Sequence, residues 1–494
     1  MRKSLILFAA LLVLSIAVLG AAIVTVDGQS DAVSMSETTL YGDAAYAEGI
    51  ELCQQIGCLN SMFWTVQLTA GAEPETKAEF VAEKRDYSDE LFYDDSGINL
   101  YAPDSIDVLA SHPYATELDL IAQKLAESAP NGTRTQLKIR LADYFDYYPL
   151  SIYPGNVQGE IVWEDGGEEY SYYRNLGKWR DVCKMVAEYI KIPVLEDQTI
   201  WFSVYKNDTG NIIDFTVDPY EDNADGASLA GYSANTAKRL YFTVDNKSML
   251  GEPLDMSHIP GGYGIYSIPC EYEQKRNVTH VHFDELSTVY SLDENERVTW
   301  LHASADGESL LCLTSLDSAA YLTVLDADTG KLRQRIELKG PGDQTDLWAV
   351  REQADGNLLC IGAYCAVFVE KSADGSYVQS YAVQRPVAIP GLDGVVTVRP
   401  DPATVHDENA MWCISEEKAV ARRDGDRLII ADPLCTNASG GECGVTLLVY
   451  ERGELKYAGY YASSLDAPPG DVYNYYGARC APSGKDPLEI TSCG

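Results

Sequence analysis

The residue pattern best suited to binding a metal is His280-Val-His282-Phe-Asp284. Alternate side chains of a β-strand point to the same face, so a strand here would present His280, His282 and Asp284 together. Two imidazoles and a carboxylate are ligands that zinc accepts. The string imitates the start of a metallohydrolase motif, but that motif requires a further His where Glu285 stands. A zinc site and a solvated strand face both explain these residues.

Two further patterns resemble catalytic or calcium motifs but lack required partners. Ser203-Val-Tyr-Lys206 has the spacing in which a lysine activates a serine, and Ser233-Ala-Asn235 follows it. No Lys-Thr-Gly or Lys-Ser-Gly comes after them. Asp326-Ala-Asp-Thr-Gly330 lacks the third acidic ligand and the closing glutamate of a calcium loop, so a tight turn explains it. No catalytic residue and no cofactor is predicted.

Tyrosine is the compositional anomaly, with 33 tyrosines against 10 phenylalanines. A tyrosine ring offers a large stacking surface with a hydroxyl at its rim, which suits sugars, peptides and protein partners. Half-buried strand positions explain the same residues, because tyrosine is favoured in strands. One dense stretch, interleaved with aspartate and glutamate, gives the predicted ligand-binding residues: Tyr144, Tyr147, Tyr148, Trp163, Tyr170, Tyr172 and Tyr173.

Charge and the N-terminal segment predict the compartment. The formal net charge is −38, which repels phosphate backbones, so no nucleic-acid partner is expected. Arg2 and Lys3 precede an uncharged, apolar run that extends to Val26. Residues 1–26 are therefore predicted to be a single-pass transmembrane anchor or a signal peptide, with most of the chain outside the cytoplasm. Small residues around Ala22 leave cleavage, and hence secretion, open.

The rest of the chain changes character near Pro193. Residues 27–48 are predicted to be a polar stalk and residues 49–194 an α+β region. Within that region, one helix is expected to begin after Thr116, capped with the help of Asp119, and another over 178–192 to end before the proline. Residues 195–494 lack helical periodicity and are predicted to be a β domain.

Hairpin turns in this C-terminal region repeat at a regular distance. Asp306-Gly307 and Asp355-Gly356 are 49 residues apart, and Gly330 and Gly375 are 45 apart. Each spacing contains four apolar runs, and four strands every 40 to 50 residues is the period of a β-propeller blade. The predicted fold is thus mainly β, a propeller of four-stranded antiparallel blades preceded by a membrane segment and a small α+β region.

The string LTVLDADTGKLRQRIEL, which ends at Leu338, resembles the outer hairpin of quinoprotein-like and YVTN-type propeller repeats. The resemblance is close over residues 321–338 and implies a propeller fold. In the quinoprotein pattern a tryptophan follows the glycine by four residues, and Gln334 occupies that position here. This departure argues against a quinone cofactor.

Two functions are compatible with these features. The first is a non-enzymatic binding or scaffold protein whose partner is a protein, a peptide or a cell-envelope glycan. The alternative is an extracytoplasmic glycan hydrolase that uses two carboxylates as acid and base, about 5 Å or 6.5–9.5 Å apart.

Overall fold

A computed structural model describes most of the chain. It covers residues 2–28, 30–59, 62–82, 97–101, 116–153, 157–172, 174–218, 226–341, 345, 347–362, 365–384, 419–435, 442–466 and 488–493. Strands predominate, so the prediction of a mainly β fold is confirmed.

Three α-helices and 29 strands make up the regular structure of the described residues. The helices are α1 (Arg2–Asp27), α2 (Glu117–Ser128) and α3 (Leu176–Ile190). The strands in chain order are β1 (Met35–Gly42), β2 (Ile50–Leu59), β3 (Met62–Thr69), β4 (Glu75–Ala82), β5 (Gly97–Leu100), β6 (Arg134–Arg140), β7 (Leu150–Tyr153), β8 (Glu160–Asp165), β9 (Glu168–Ser171), β10 (Thr199–Lys206), β11 (Ile212–Asp218), β12 (Ser233–Asn235), β13 (Arg239–Phe242), β14 (Gly264–Glu273), β15 (Val278–Val281), β16 (Ser287–Ser291), β17 (Arg297–Ala303), β18 (Ser309–Leu316), β19 (Ala319–Asp326), β20 (Leu332–Leu338), β21 (Leu347–Glu352), β22 (Leu358–Gly362), β23 (Cys365–Lys371), β24 (Tyr377–Gln384), β25 (Val420–Asp424), β26 (Arg427–Cys435), β27 (Glu442–Glu451), β28 (Glu454–Asp466) and β29 (Leu488–Cys493).

Helix α1 occupies the segment that was predicted to be an anchor or signal peptide. Among the described residues, none of the helices has the length and apolar character needed to span a membrane.

The chain divides into two compact units. The discontinuous unit combines Met1–Glu90 with Leu338–Gly494, and the inserted unit is Leu91–Glu337. This grouping differs from the boundaries predicted at residues 48 and 194. Strand β1 lies within the predicted stalk and pairs with β28, while β2 lies within the predicted α+β region and pairs with β29. Pairing between distant parts of the chain leaves no local signal in the sequence.

Three antiparallel sheets form the discontinuous unit. They have the strand orders β21-β22-β23-β24, β1-β28-β27-β26-β25 and β29-β2-β3-β4. Buried side chains of the second sheet pack against the first in one apolar cluster and against the third in another. Because a sheet buries its faces against its neighbours, the stack needs no helix among the described residues to cover it.

Strands from the two ends of the chain pair with each other within this unit. Strand β29, the last described strand, forms the edge of the sheet that contains β2, and Leu488 and Ile490 are buried in the core next to it. Strand β1 pairs with β28 in the neighbouring sheet.

In the inserted unit, β17 to β20 form a four-stranded antiparallel sheet in sequence order. This sheet is the first of the predicted repeat units, and the sheet of β21 to β24 is the second, so both are confirmed. Glycine supplies the positive φ at the four repeat turns predicted above, and the sequence also indicates hairpin turns at Gly210, Gly425 and Gly453, where glycine does the same, because it lacks the Cβ that hinders this conformation. These glycines are Gly210, Gly307, Gly330, Gly356, Gly375, Gly425 and Gly453.

The rest of the inserted unit mixes helices and strands. Thr116 and Asp119 form the predicted capping box at the start of α2, and Lys191, in the left-handed conformation, ends α3 two residues before Pro193. Helix α2 contributes Leu118 and Ala122 to the same core as α3. Strand β14 is long enough to pair with β13, β15 and β16, and β15 also pairs in parallel with β8.

Candidate ligand-binding face

Part of the predicted tyrosine site belongs to the core. Tyr148 is 1% exposed. Its hydroxyl donates a hydrogen bond to Oε1 of Gln198 at 2.5 Å and accepts one from the backbone N–H of Leu195 at 3.1 Å. The Gln198 oxygen also accepts a hydrogen bond from the Ala227 N–H. This buried network therefore connects the segments that contain Tyr148, Gln198 and Ala227. Tyr148 is therefore unable to present its ring to a ligand in this structure.

Trp163 is also a core residue. Its ring packs edge-on against Trp179 and Phe283 at centroid distances of 5.4 and 6.3 Å. Tyr170 lies beside Trp163, and Tyr172 contacts Trp179 at 4.6 Å, so these two partly buried tyrosines extend the same aromatic cluster. The last residue of the predicted set, Tyr173, lies outside the described residues.

Only Tyr144 and Tyr147 of the described set are well exposed, at 45% and 36%. The ring of Tyr147 contacts His258 edge-on at 5.7 Å. Tyr144 follows a short 3₁₀ turn that begins where β6 ends. The predicted set is thus divided between surface and core, and the structure does not bring it together as one binding surface.

The predicted metal residues separate because their strand is short. Strand β15 ends at Val281, and Phe283 is buried at the start of a 3₁₀ turn, so His282 and Asp284 leave the strand. His280 remains on β15, with Nε2 at 3.4 Å from a carboxylate oxygen of Glu273. Within the described part of the chain, no group of three His, Cys, Asp or Glu side chains could hold a metal ion.

A different surface brings aromatic and charged side chains together. Strands β11, β10 and β6 form an antiparallel sheet in that order. Side chains alternate across a strand, and one face of this sheet packs into the core through residues such as Ile200, Phe202 and Ile139. Helix α2 contributes to the same core. On the opposite face most side chains of β6 and β11 are exposed, Trp201 and Tyr205 of β10 are partly exposed, and Ser203 is buried.

Three cross-strand rows of this opposite face span all three strands, and we call them the open face. A fourth row, Arg140 opposite Thr199, spans only β6 and β10, and Arg140 is ion-paired with Asp143. In the first row Trp201 of β10 lies between Lys138 and Asp218, its partners on β6 and β11. In the third row Tyr205 lies between Arg134 and Asp214. The middle row is polar and uncharged, and its members are Gln136, Ser203 and Thr216. The two outer rows therefore have the same chemical order, which is cation, aromatic ring, carboxylate.

Contacts within the rows hold these groups in place. The Lys138 ammonium lies 5.2 Å from the centre of the Trp201 ring, and the Arg134 guanidinium lies 5.8 Å from that of Tyr205, both within cation–π range. Arg134 also donates hydrogen bonds to Ser203 Oγ at 3.0 Å and to Asp214 Oδ2 at 2.5 Å. Arg134 and Asp214 remain 47% and 39% exposed, so their remaining donor and acceptor positions face water.

The open face was not predicted from the sequence, although the alternating residues of one of its strands were recognisable. The alternation of Leu137 and Ile139 with Lys138 and Arg140 predicts a half-buried strand. Strand β6 forms there, with Ile139 buried and Leu137 37% exposed. Strand β10 carries the same alternation, but Ser203 to Lys206 was considered there only as a catalytic motif. The pairing of β6 with β10, which places Lys138 opposite Trp201, joins residues more than 60 positions apart.

The acid–base pair that a glycan hydrolase requires finds little support. Burial raises the pKa of the Asp245 carboxyl, as a general acid would need. The charges that act on this carboxyl are those of Arg297 and Lys247, which lower its pKa, and no second carboxylate is among them.

No family model and no curated protein matches the chain. Solved structures resemble parts of it. A protein from Lactobacillus plantarum is 13% identical with a TM-score of 0.26, over 55% of this chain and 64% of that protein. The β-propeller domain of the Trilobed protease from Pyrococcus furiosus is 9% identical with a TM-score of 0.21, over 46% and 56%. The Dos1 propeller is 10% identical with a TM-score of 0.24, over 58% and 69%. The chain thus spans slightly less than two thirds of the Lactobacillus protein.

Proposed function

We propose that this protein is a non-enzymatic binding module and that the open face of the β6–β10–β11 sheet receives its ligand. The observation that carries the proposal is the pair of matching rows around Trp201 and Tyr205. Partly exposed aromatic rings with polar groups at their rims are typical of binding surfaces. The sheet fixes the spacing of the two aromatic residues before the ligand arrives, which reduces the entropy lost on binding.

We further propose that the four-stranded sheets are blades of a closed propeller. Three successive sheets of the discontinuous unit stack through shared apolar clusters. The pairing of β29 with β2 supports closure, because it joins the end of the chain to a sheet near its start. In this arrangement the sheets serve as a scaffold, and the binding chemistry lies elsewhere on the protein.

The proposal includes export of the protein from the cytoplasm. Arg2 and Lys3 at the head of α1, and exposed apolar side chains such as Val13 and Ile16, support it. Protease added to intact cells that express the protein should then digest the chain beyond residue 26. Complete protection in intact cells, with digestion after lysis, would contradict export.

Binding at the open face can be tested with the full-length protein on arrays of glycans, peptides and proteins. Wild type should capture a ligand, and the double substitution Trp201→Ala/Tyr205→Ala should weaken capture at least tenfold. Tyr144→Ala/Tyr147→Ala is the matched control, because it removes two exposed aromatic rings from the same unit outside the open face. Failure to capture any class of ligand, or loss of capture only in the control variant, would refute the proposal.

A further inference from the structure

The chemistry of the open face also indicates which class of ligand fits it. We propose, resting on the binding function above, that the ligand is an uncharged, linear glycan that stacks on Trp201 and Tyr205 at two separate subsites. Three properties of the face lead to this class: the charge balance, the mixture of donors and acceptors, and the spacing of the rings.

The charge balance disfavours charged ligands. Each outer row contains one cation and one carboxylate, Lys138 with Asp218 and Arg134 with Asp214, so the two rows together are neutral. This neutrality is unusual in a chain whose net charge is −38. An anionic ligand would meet two carboxylates as well as two cations, and a cationic ligand would meet the same four groups, so for either sign like-charge contacts offset the attraction. A neutral ligand avoids both.

The mixture of donors and acceptors suits hydroxyl groups. A sugar hydroxyl both donates and accepts hydrogen bonds, whereas an ammonium or guanidinium only donates and a carboxylate only accepts. In each row the charged donor and the charged acceptor come from the strands on either side of the ring. Arg134 and Asp214 hydrogen-bond each other in this structure, so a sugar in that row would replace their contact with hydrogen bonds to its own hydroxyls. Hydrogen bonds to charged groups are roughly twice as strong as those between neutral groups. The apolar C–H face of the sugar would pack on the ring itself and would displace the cation that now lies over it.

The spacing of the rings suits a chain and not a single sugar. Trp201 and Tyr205 are four residues apart on one strand, so their Cα atoms are separated by about 13 Å at the usual rise per residue. Between them lies an uncharged row in which Gln136 and Thr216 are exposed and can hydrogen-bond the connecting part of the ligand, while Ser203 is buried and accepts a hydrogen bond from Arg134. A ligand that reaches both rings gains from the second contact at high effective concentration. Affinity should therefore rise steeply once the glycan is long enough to span them.

The test uses the full-length protein and calorimetric titration with unbranched, neutral β-linked glucose and mannose oligosaccharides of two to eight units. Oligogalacturonate of matched length and an acidic peptide serve as charged comparisons. At least one neutral series should bind, with an increase of tenfold or more at the length that reaches both rings. Binding should change less than twofold between 20 and 300 mM NaCl, because no net charge is neutralised.

Variants separate the subsites and the charges. Trp201→Ala and Tyr205→Ala should each abolish the gain in affinity with oligosaccharide length. In one of the two variants, the affinity for the shortest oligosaccharide that binds should stay within a few fold of the wild-type affinity. Asp214→Asn/Asp218→Asn should weaken the neutral glycan and admit oligogalacturonate. Tyr144→Ala/Tyr147→Ala should behave as wild type.

Three results would overturn the glycan assignment. The first is that the peptide or oligogalacturonate binds through Trp201 and Tyr205 while neutral oligosaccharides do not. In that case the proposed binding function would still hold. Another is a change in thermal stability of the ring variants with no change in any binding, which would assign the rings to sheet packing alone. The third is the absence of binding to every probe here together with every array ligand, which refutes both proposals.

Discussion

Asp119 shows how one buried side chain can serve a helix end and a tertiary contact at the same time. It is 1% exposed, and its carboxylate accepts hydrogen bonds from the backbone N–H and hydroxyl of Thr116 and from the hydroxyl of Tyr101. Its Oδ2 also lies 3.5 Å from Nε of Arg180, whose side chain is 9% exposed. Burial and this carboxylate raise the pKa of Tyr101, so its hydroxyl stays protonated as a donor.

The substitution Asp119→Asn should therefore destabilise the protein strongly. It leaves the buried guanidinium of Arg180 without a compensating charge, which typically costs about 3–5 kcal/mol in free energy of unfolding. Urea denaturation followed by circular dichroism measures this difference. Asp143→Asn is the control, because it breaks the half-exposed ion pair with Arg140 and should change stability little. Equal effects of the two substitutions would contradict the prediction.

Asp326 gives a prediction about pH. Hydrogen bonds from the Thr329 hydroxyl and then from the Arg333 guanidinium lower the pKa of its carboxyl to about 2. An unfolded chain has an aspartate pKa of about 3.9, so the folded state favours the charged form. The resulting stabilisation is complete above about pH 5 and is lost as the pH falls from about 4 to about 2. The difference in free energy of unfolding between wild type and Asp326→Asn should shrink across that interval.

The same carboxyl offers a direct control. Arg333→Gln removes one of the hydrogen bonds, so the pKa of Asp326 should rise toward its ordinary value in a titration followed by NMR. If the difference in free energy of unfolding between wild type and Asp326→Asn stayed constant from pH 6 to pH 2, Asp326 would not be stabilised in its charged form.

At the residue scale, sequence reasoning succeeded where partners are close in the chain. The Thr116–Asp119 capping box and the turn at Asp326–Gly330 are set by neighbours three or four residues away, and both form as predicted. It failed for Tyr148 and Trp163, whose burial depends on distant partners such as Gln198 and Phe283. It also failed to foresee that the strand carrying His280 ends at Val281. Composition identified aromatic residues but could not separate exposed rings from buried ones.

At the scale of elements, β29 is the strand whose role depends most on distant pairing. It supplies an edge to the sheet of β2, β3 and β4, and its residues Leu488 and Ile490 are 0% and 6% exposed. Glu489 lies between them and is exposed on the opposite side of the strand. The alternation shows that β29 has one face in the core.

Ile490→Ala should consequently lower the free energy of unfolding by about 2–5 kcal/mol, because it removes a buried side chain and leaves a cavity. Glu489→Ala, on the exposed side of the same strand, should change it by about 0.5 kcal/mol or less. Both values come from urea denaturation of the full-length protein. If the two substitutions had the same small effect, β29 would contribute little to the core.

The elements were easier to predict than their partners. Two of the predicted four-stranded units form as expected because their strands pair in sequence order through short turns, two of which contain glycine in each unit. The sequence also indicates a third, looser copy of the unit that begins near Ala410, and its start lies outside the described residues. The pairing of β1 with β28, of β29 with β2, and of β6 with β10 could not be predicted, because the sequence does not mark which distant edges meet. The open face depends on one of these pairings.

At the scale of the whole molecule, the dominant property is the net charge of −38, which arises from 75 acidic and 37 basic residues. Ion pairs such as Arg276 with Glu169 and Arg423 with Glu370 neutralise only part of the acidic surface. Like charges repel more strongly in the compact state than in the expanded unfolded chain, so the net charge opposes folding. Dissolved salt weakens this repulsion, with a screening length of about 10 Å at 0.1 M.

The melting temperature should accordingly rise as NaCl increases from 10 to 300 mM at pH 7, which differential scanning calorimetry measures. The rise should be smaller at pH 5, because protonation of part of the carboxylates, whose ordinary pKa values are near 4, reduces the repulsion that salt can screen. Local ion pairs respond in the opposite direction, since salt weakens their attraction. A melting temperature that falls with salt at pH 7 would therefore mean that attraction within specific ion pairs outweighs the repulsion of the net charge. The acidic side chains would then stabilise the fold through these pairs.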